Sequence, residues 1–181
     1  YQIGDRIRAF ILNIDNAAHG PQIVLSRSHP SFVWRLFELE VSEIADGTVE
    51  IKGIAREAGF RTKIAVLSHD EKVDPVGACV GMRGIRVKNI VRELSGEKID
   101  IVRWHDDVKT YVTNALAPAR LNKVTVDPSL RAVEVVVDGD QLSLAIGKKG
   151  QNARLTAKIT GWKIDIQKNE EHIGFEEKVA R

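Results

Sequence analysis

The chain has 181 residues, 43% of them apolar and 29% charged, which is enough for one large or two small domains with real cores. A formal net charge of +2 neither supports nor excludes a polyanionic partner, because bases and acids cluster in separate windows. The single cysteine, Cys79, excludes an internal disulfide framework and a multi-cysteine metal site; no apolar run is long enough to span a membrane and no signal-peptide pattern opens the chain. The chain opens at Tyr1 and its only methionine is Met82, so it reads as a fragment of a longer protein, with a reducing cytoplasm as the expected compartment.

Residues 1–28 hold two strand-like runs, Arg6 to Leu12 and Gln22 to Ser26, around a turn rich in Asn, Ala, His and Gly. Two strands alone are marginal, so they read as the end of a truncated barrel. After His29-Pro30, Ser31 can cap a helix with Phe32, Leu36 and Leu39 on one face. Strands are predicted for Thr48 to Ala55 and Arg61 to Leu67, and a short helix after Asp74-Pro75. Cys79, in Val76 to Val80, reads as a small core residue. A glycine loop, Gly81-Met82-Arg83-Gly84, precedes a helix bearing Val87, Ile90, Val91 and Leu94; Gly96 stops it, and Lys98 to Val102 alternates as a strand. The order is αββααβ.

That order recurs. Val108, Val112, Ala115 and Leu116 mark a helix closed by Pro118. Leu121 to Val126 and Ala132 to Val137 read as strands around Asp127-Pro128-Ser129, and Asp140 opens a short helix. The loop Gly147-Lys148-Lys149-Gly150 comes next, then a helix with Leu155 and Ile159, a stop at Gly161, and the strand Lys163-Ile164-Asp165-Ile166. Asp74 and Asp140 each stand seven residues before a loop, and Lys98-Ile99-Asp100-Ile101 repeats as Lys163 to Ile166. This is a duplicated domain, each copy long enough to own a core. The expected units are residues 29–105 and 106–168, with an acidic, helical or frayed tail at 169–181.

Both loops lie in windows without acids, Val76 to Arg92 and Gln141 to Ile164. A loop between two helices bares the N–H groups of the second helix's first turn, and flanking glycines let a sugar-phosphate chain come close. Arg83, Lys148 and Lys149 are placed for phosphate oxygens and Met82 for a sugar or base; Arg86 and Lys88, and Asn152 and Arg154, extend the contact along each helix. One GxxG alone could be just a tight helix connection, but two with bases at the same place in a repeat point to a nucleic-acid clamp.

The αββααβ order with GxxG between the middle helices resembles the type II KH domain, here in tandem, giving an α/β fold of the α+β type. Gly96-Glu97-Lys98-Ile99-Asp100-Ile101 and Ala145 to Asn152 resemble the NusA family of bacterial transcription elongation and antitermination factors. Gly4 to Arg8 and Ser26 to Pro30 resemble the end of that family's OB-fold RNA-binding domain. The resemblance implies single-stranded nascent RNA as partner, each loop clamping about four nucleotides. It further implies RNA polymerase, through a domain with no counterpart here, and other antitermination factors. No catalytic step, cofactor or metal is expected. The alternative within the same fold is a substrate-presenting module of an RNA-processing enzyme; a protein–protein scaffold is disfavoured by the basic loops.

Other constellations are weaker. His19, His29, His69, His105 and His172 show no metal-ligand spacing. His105-Asp106-Asp107 reads as a solvated linker, and Gly147-Lys148 fails as a P-loop because Lys149 stands where Ser or Thr is needed. Trp34 and Trp162 are expected to pack internally.

Overall fold

The computed structural model describes residues 1–169; the tail expected at 169–181 therefore lies, beyond Asn169, outside the described residues. β1 (Phe10–Ala17) and β2 (Gly20–Ser26) form an antiparallel hairpin with a bulge between Ile11 and Asn13. The first strand is displaced from the expected Arg6 to Leu12. Pairing runs to the hairpin tip because a two-residue connection, relieved by Gly20 at φ 108°, brings Ala17 opposite Gly20. Among the described residues no third strand joins the pair. Arg27 ties the hairpin to the helix that ends at Glu93, donating to the Arg8 carbonyl (2.5 Å), the Glu93 carbonyl (2.8 Å) and the Glu93 carboxylate (3.0 Å).

The first unit contains α1 (Pro30–Glu40), α2 (Ser42–Ala45), β3 (Val49–Glu57), β4 (Arg61–Ser68), α3 (Pro75–Val80), α4 (Ile85–Glu93) and β5 (Lys98–Arg103). The cap of α1 is His29, not Ser31: Pro30 occupies the first turn, and His29 Nδ1 accepts from the Ser31 N–H at 3.1 Å. Phe32, Val33, Leu36 and Phe37 form the buried face of α1, which leaves Trp34 at the solvent side, 37% exposed, instead of packed. Asp74 caps α3 as expected, accepting from Val76 and Gly77. The one-turn α2 has no expected counterpart, being too short to carry a period.

The second unit repeats the scheme with α5 (Val108–Leu116), β6 (Lys123–Asp127), β7 (Ala132–Val137), α6 (Gly139–Ile146), α7 (Gln151–Thr160) and β8 (Lys163–Lys168). Here Asp138, not Asp140, stands at the helix start. The Gln141 N–H closes the first turn on the Asp138 carbonyl (2.9 Å), so Asp140 falls inside the helix. In the linker, Asp107 caps α5 by accepting from Thr110 at 2.9 Å.

Both sheets have the same order, β3-β4-β5 and β6-β7-β8, with one antiparallel and one parallel pairing each. Arg61 pairs with Lys98 where Ala132 pairs with Lys163, so the repeat holds in register. One core joins α1, the first sheet and the later helices through Phe37, Ile64, Cys79 and Ile90; the other joins Val112, Leu116, Val133, Val135 and Ala145. Cys79 is wholly buried, and burial pushes its thiol up to about 12. Trp162 packs against the second core.

The units share a third cluster. Ala65 and Val102, on the face of the first sheet away from its own helices, meet Tyr111 and Ala115 of α5, with Trp104 and Ile159 packed alongside. Tyr111 donates to the Ile159 carbonyl (3.2 Å) and Asn114 to that of Arg103 (3.0 Å). Lys63, fully buried at this face, is paired with Asp100 at 3.1 Å, and Asp100 also takes two hydrogen bonds from Arg61. No helix among the described residues is long and apolar enough to cross a membrane.

Candidate nucleic-acid interface

The two glycine loops are built alike in their backbone. Gly81 and Gly147 have φ 73° and 77°, Gly84 and Gly150 have φ 75° and 73°, and the Gly84 and Gly150 N–H groups close one tight turn onto Gly81 and Gly147 (3.0 Å each). Arg83 and Lys149 are both forced to positive φ, 55° and 53°, a conformation uncommon outside glycine. Neither α4 nor α7 has a side-chain cap at its N-terminus. Their first-turn N–H groups therefore keep the partial positive charge that attracts an anion.

The residues just after each loop brace it from inside. Arg86 donates to the Ala78 carbonyl (2.7 Å), at the end of α3. Asn152 stands at the same place in the second unit, five residues after the loop's first glycine, and donates to the carbonyls of Leu116, Leu144 and Ala145 at 3.0–3.4 Å. These two were expected to touch RNA; the structure gives both a bracing role inside the unit. Asn152 is 8% exposed and its amide is spent on carbonyls, while Arg86 is paired with Glu43 at 2.7 Å.

The bracing also explains the first glycine of each loop. A Cβ on Gly81 would lie 2.7 Å from Arg86 Cγ, and one on Gly147 would lie 2.8 Å from the Asn152 backbone nitrogen. The absent side chain there makes room for the protein's own brace. Gly84 and Gly150 have nothing nearer than 3.6 and 3.8 Å, so only they leave an open flank.

Met82, Arg83, Lys148 and Lys149 are exposed, Met82 at 83%. Among the described residues Arg83, Lys148 and Lys149 have no ion-pair partner. Lys88 and Arg154, again at one place in the repeat, reach back and donate to the carbonyls of Arg83 and Lys149, both at 3.0 Å. They hold the positive-φ residue in place and set a charge beside it.

Two family models match this chain: the NusA-like first KH domain over residues 27–104 and the NusA-like second KH domain over residues 108–173. This is the tandem KH pair of the NusA family. The transcription termination/antitermination protein NusA of Halalkalibacterium halodurans is 58% identical over 171 residues, covering 94% of this chain and 45% of that protein. NusA of Bacillus subtilis is 56% identical over 167 residues, 92% of this chain and 45% of its own length. The chain thus spans about half the length of the curated relatives it matches. The crystal structure of APE1850 superposes with a TM-score of 0.55 at 23% identity, over 76% of this chain and 97% of that one, a likeness of fold.

In this NusA-type pair the acid-free windows do not stay acid-free in space. Glu57, at the end of β3, accepts from Arg154 at 2.5 and 3.1 Å and from Gln151 at 2.9 Å. Those hydrogen bonds hold its carboxyl down at about 2. Gln151, one of the donors to Glu57, lines one of two clefts. One of about 470 Å³ runs between α4 and β5, lined by Val87, Lys88, Val91, Arg61 and Lys98; another of about 250 Å³ lies under the second loop, lined by Gly147, Lys148, Gln151, Arg61 and Lys98. Arg61 and Lys98 line both, and neither was expected at the site. Lys98 matched Lys163 in the repeat, but nothing in the sequence shows that the second unit packs across its strand.

Proposed function

We infer that the chain is the single-stranded RNA-binding part of a bacterial transcription elongation, termination and antitermination factor, gripping nascent RNA through both GxxG loops. One observation carries this reading: two loops of matching backbone geometry, each presenting unpaired cations and an uncapped helix N-terminus to solvent. The contact set is Gly81, Met82, Arg83, Gly84 and Lys88 in the first unit and Gly147, Lys148, Lys149, Gly150 and Arg154 in the second. Lys98 carries charge across the seam, where Arg61 is paired with Asp100, and Arg86 and Asn152 serve as braces. The role is binding without a catalytic step, in the cytoplasm. RNA polymerase is engaged through a domain beyond this pair, other antitermination factors are further partners, and the β1–β2 hairpin belongs to an OB-type barrel.

The support is also electrostatic. With about 4–6 phosphates neutralised on a single strand, log K should fall with log salt at a slope of about −3 to −4. Lys148→Asp with Lys149→Asp tests the reading: single-stranded RNA should bind at least about tenfold more weakly with the circular dichroism spectrum kept. Unchanged affinity at moderate salt removes the second loop from the site.

A further inference from the structure

We propose that Phe60, on the turn between β3 and β4, is a base-stacking residue of the RNA site, next to Arg61 and Lys98, which line both clefts. The inference rests on the two-loop reading above. Phe60 is 71% exposed, yet its turn is firmly held. Its N–H donates to the Glu57 carbonyl (2.9 Å), and its carbonyl accepts from the Lys98 N–H (3.1 Å). The adjacent Gly59 N–H donates to the carboxylate of Glu97 (2.8 Å), itself buried and held by Arg56 and Thr62.

The neighbours of Phe60 reach both halves of the site. Arg61, next in sequence, and Lys98, bonded to its carbonyl, each line both clefts. Glu57, at the start of the turn, holds Gln151 and Arg154 immediately after the second loop.

The duplication supplies an internal comparison. Lys163 donates to the Arg131 carbonyl (3.0 Å) as Lys98 does to that of Phe60, so Arg131 is the equivalent residue. Arg131 is turned onto its own unit: its Nε donates to the Gly161 carbonyl (2.8 Å) and its guanidinium lies 5.8 Å from the centre of the Trp162 ring. The second unit holds this side chain against its own surface, and the first leaves an aromatic face to solvent. A lone exposed aromatic needs no explanation. One on a braced turn, beside Lys98 and the Asp100-paired Arg61 that line both clefts, has the composition of a stacking platform for unpaired bases.

The test compares Phe60→Ala, Phe60→Leu and Phe60→Trp, with the Lys148→Asp/Lys149→Asp protein in parallel. The probe is a single-stranded RNA of about 12 nucleotides, enough for two loops taking about four each and a bridge. The alanine and leucine proteins should bind it about 5- to 100-fold more weakly, with the tryptophan protein near wild type. The salt slope should not change, because no phosphate contact is lost. A 2-aminopurine placed at successive positions should be quenched at one bridging position in wild type and not in Phe60→Ala. Wild-type affinity in both the alanine and leucine proteins, with the quenching pattern retained, overturns the proposal. If the loop variant weakens binding in that same experiment, the two-loop reading stands and the stacking role alone falls; if the loop variant also binds normally, both fall.

Discussion

Glu57 of the first unit and Arg154 of the second meet in a two-point ion pair, Nε to Oε1 at 2.5 Å and Nη2 to Oε2 at 3.1 Å, while the remaining Nη1 of Arg154 donates to the Lys149 carbonyl at 3.0 Å. One side chain therefore connects the inter-unit contact to the strained residue of the second loop. The spacing of the units and the shape of that loop are coupled through it.

The coupling has a pH signature. Glu57 is held at about 2 against an ordinary 4.5, so its stabilisation is complete above about 4.5 and is lost as pH falls through about 2. Thermal melts of wild type and Glu57→Gln should differ most at neutral pH and converge between those values. A gap that stays constant down to pH 3 would contradict the assignment, since other depressed carboxylates are common to both proteins.

Glycine replacements should separate brace from flank. Gly147→Ala combines a positive φ with a Cβ 2.8 Å from backbone, whereas Gly150→Ala meets only the backbone cost, about 1–2 kcal/mol. Urea melts should show Gly147→Ala to be the less stable protein by at least about 1 kcal/mol. Equal stability would mean that the Asn152 brace does not constrain the loop.

Asn152→Ala should cost about 1–3 kcal/mol, because carbonyls inside the unit lose their donor. Its effect on RNA affinity should come from loss of loop order and not from a lost contact: the salt slope should match wild type. A reduced slope would return Asn152 to the phosphate-contacting set.

At the seam, Asp100→Ala strands a buried lysine. Lys63 is fully buried and Asp100 is its anionic partner, so the substitution should destabilise by about 3 kcal/mol, while Lys63→Met should be close to neutral. Chemical denaturation of the two variants decides the point, and equal losses would contradict the desolvation account.

Much of this was legible in the chain itself. The loops, their flanking helices and the Lys-Ile-Asp-Ile strands came through because glycine punctuation and apolar period are local signals, and duplication doubled each one. What the chain did not show is non-local. Asn152 and Arg86 look like contact residues on a helix wheel, and only the fold shows which carbonyls lie within their reach. Glu57 is 97 positions from Arg154, so no window containing the second loop could include it. Asp140 misled because a helix two residues longer than its counterpart moves the cap to Asp138 without disturbing the sequence match.

The most direct measurement is an amide NMR titration of the chain with single-stranded RNA and with a matched duplex. The largest shifts should fall at the amides of Gly81 to Val87 and Gly147 to Ala153 with the single strand, with little change on adding the duplex. Shifts confined to other surfaces, with both loops silent at saturation, would contradict a grip through the two loops.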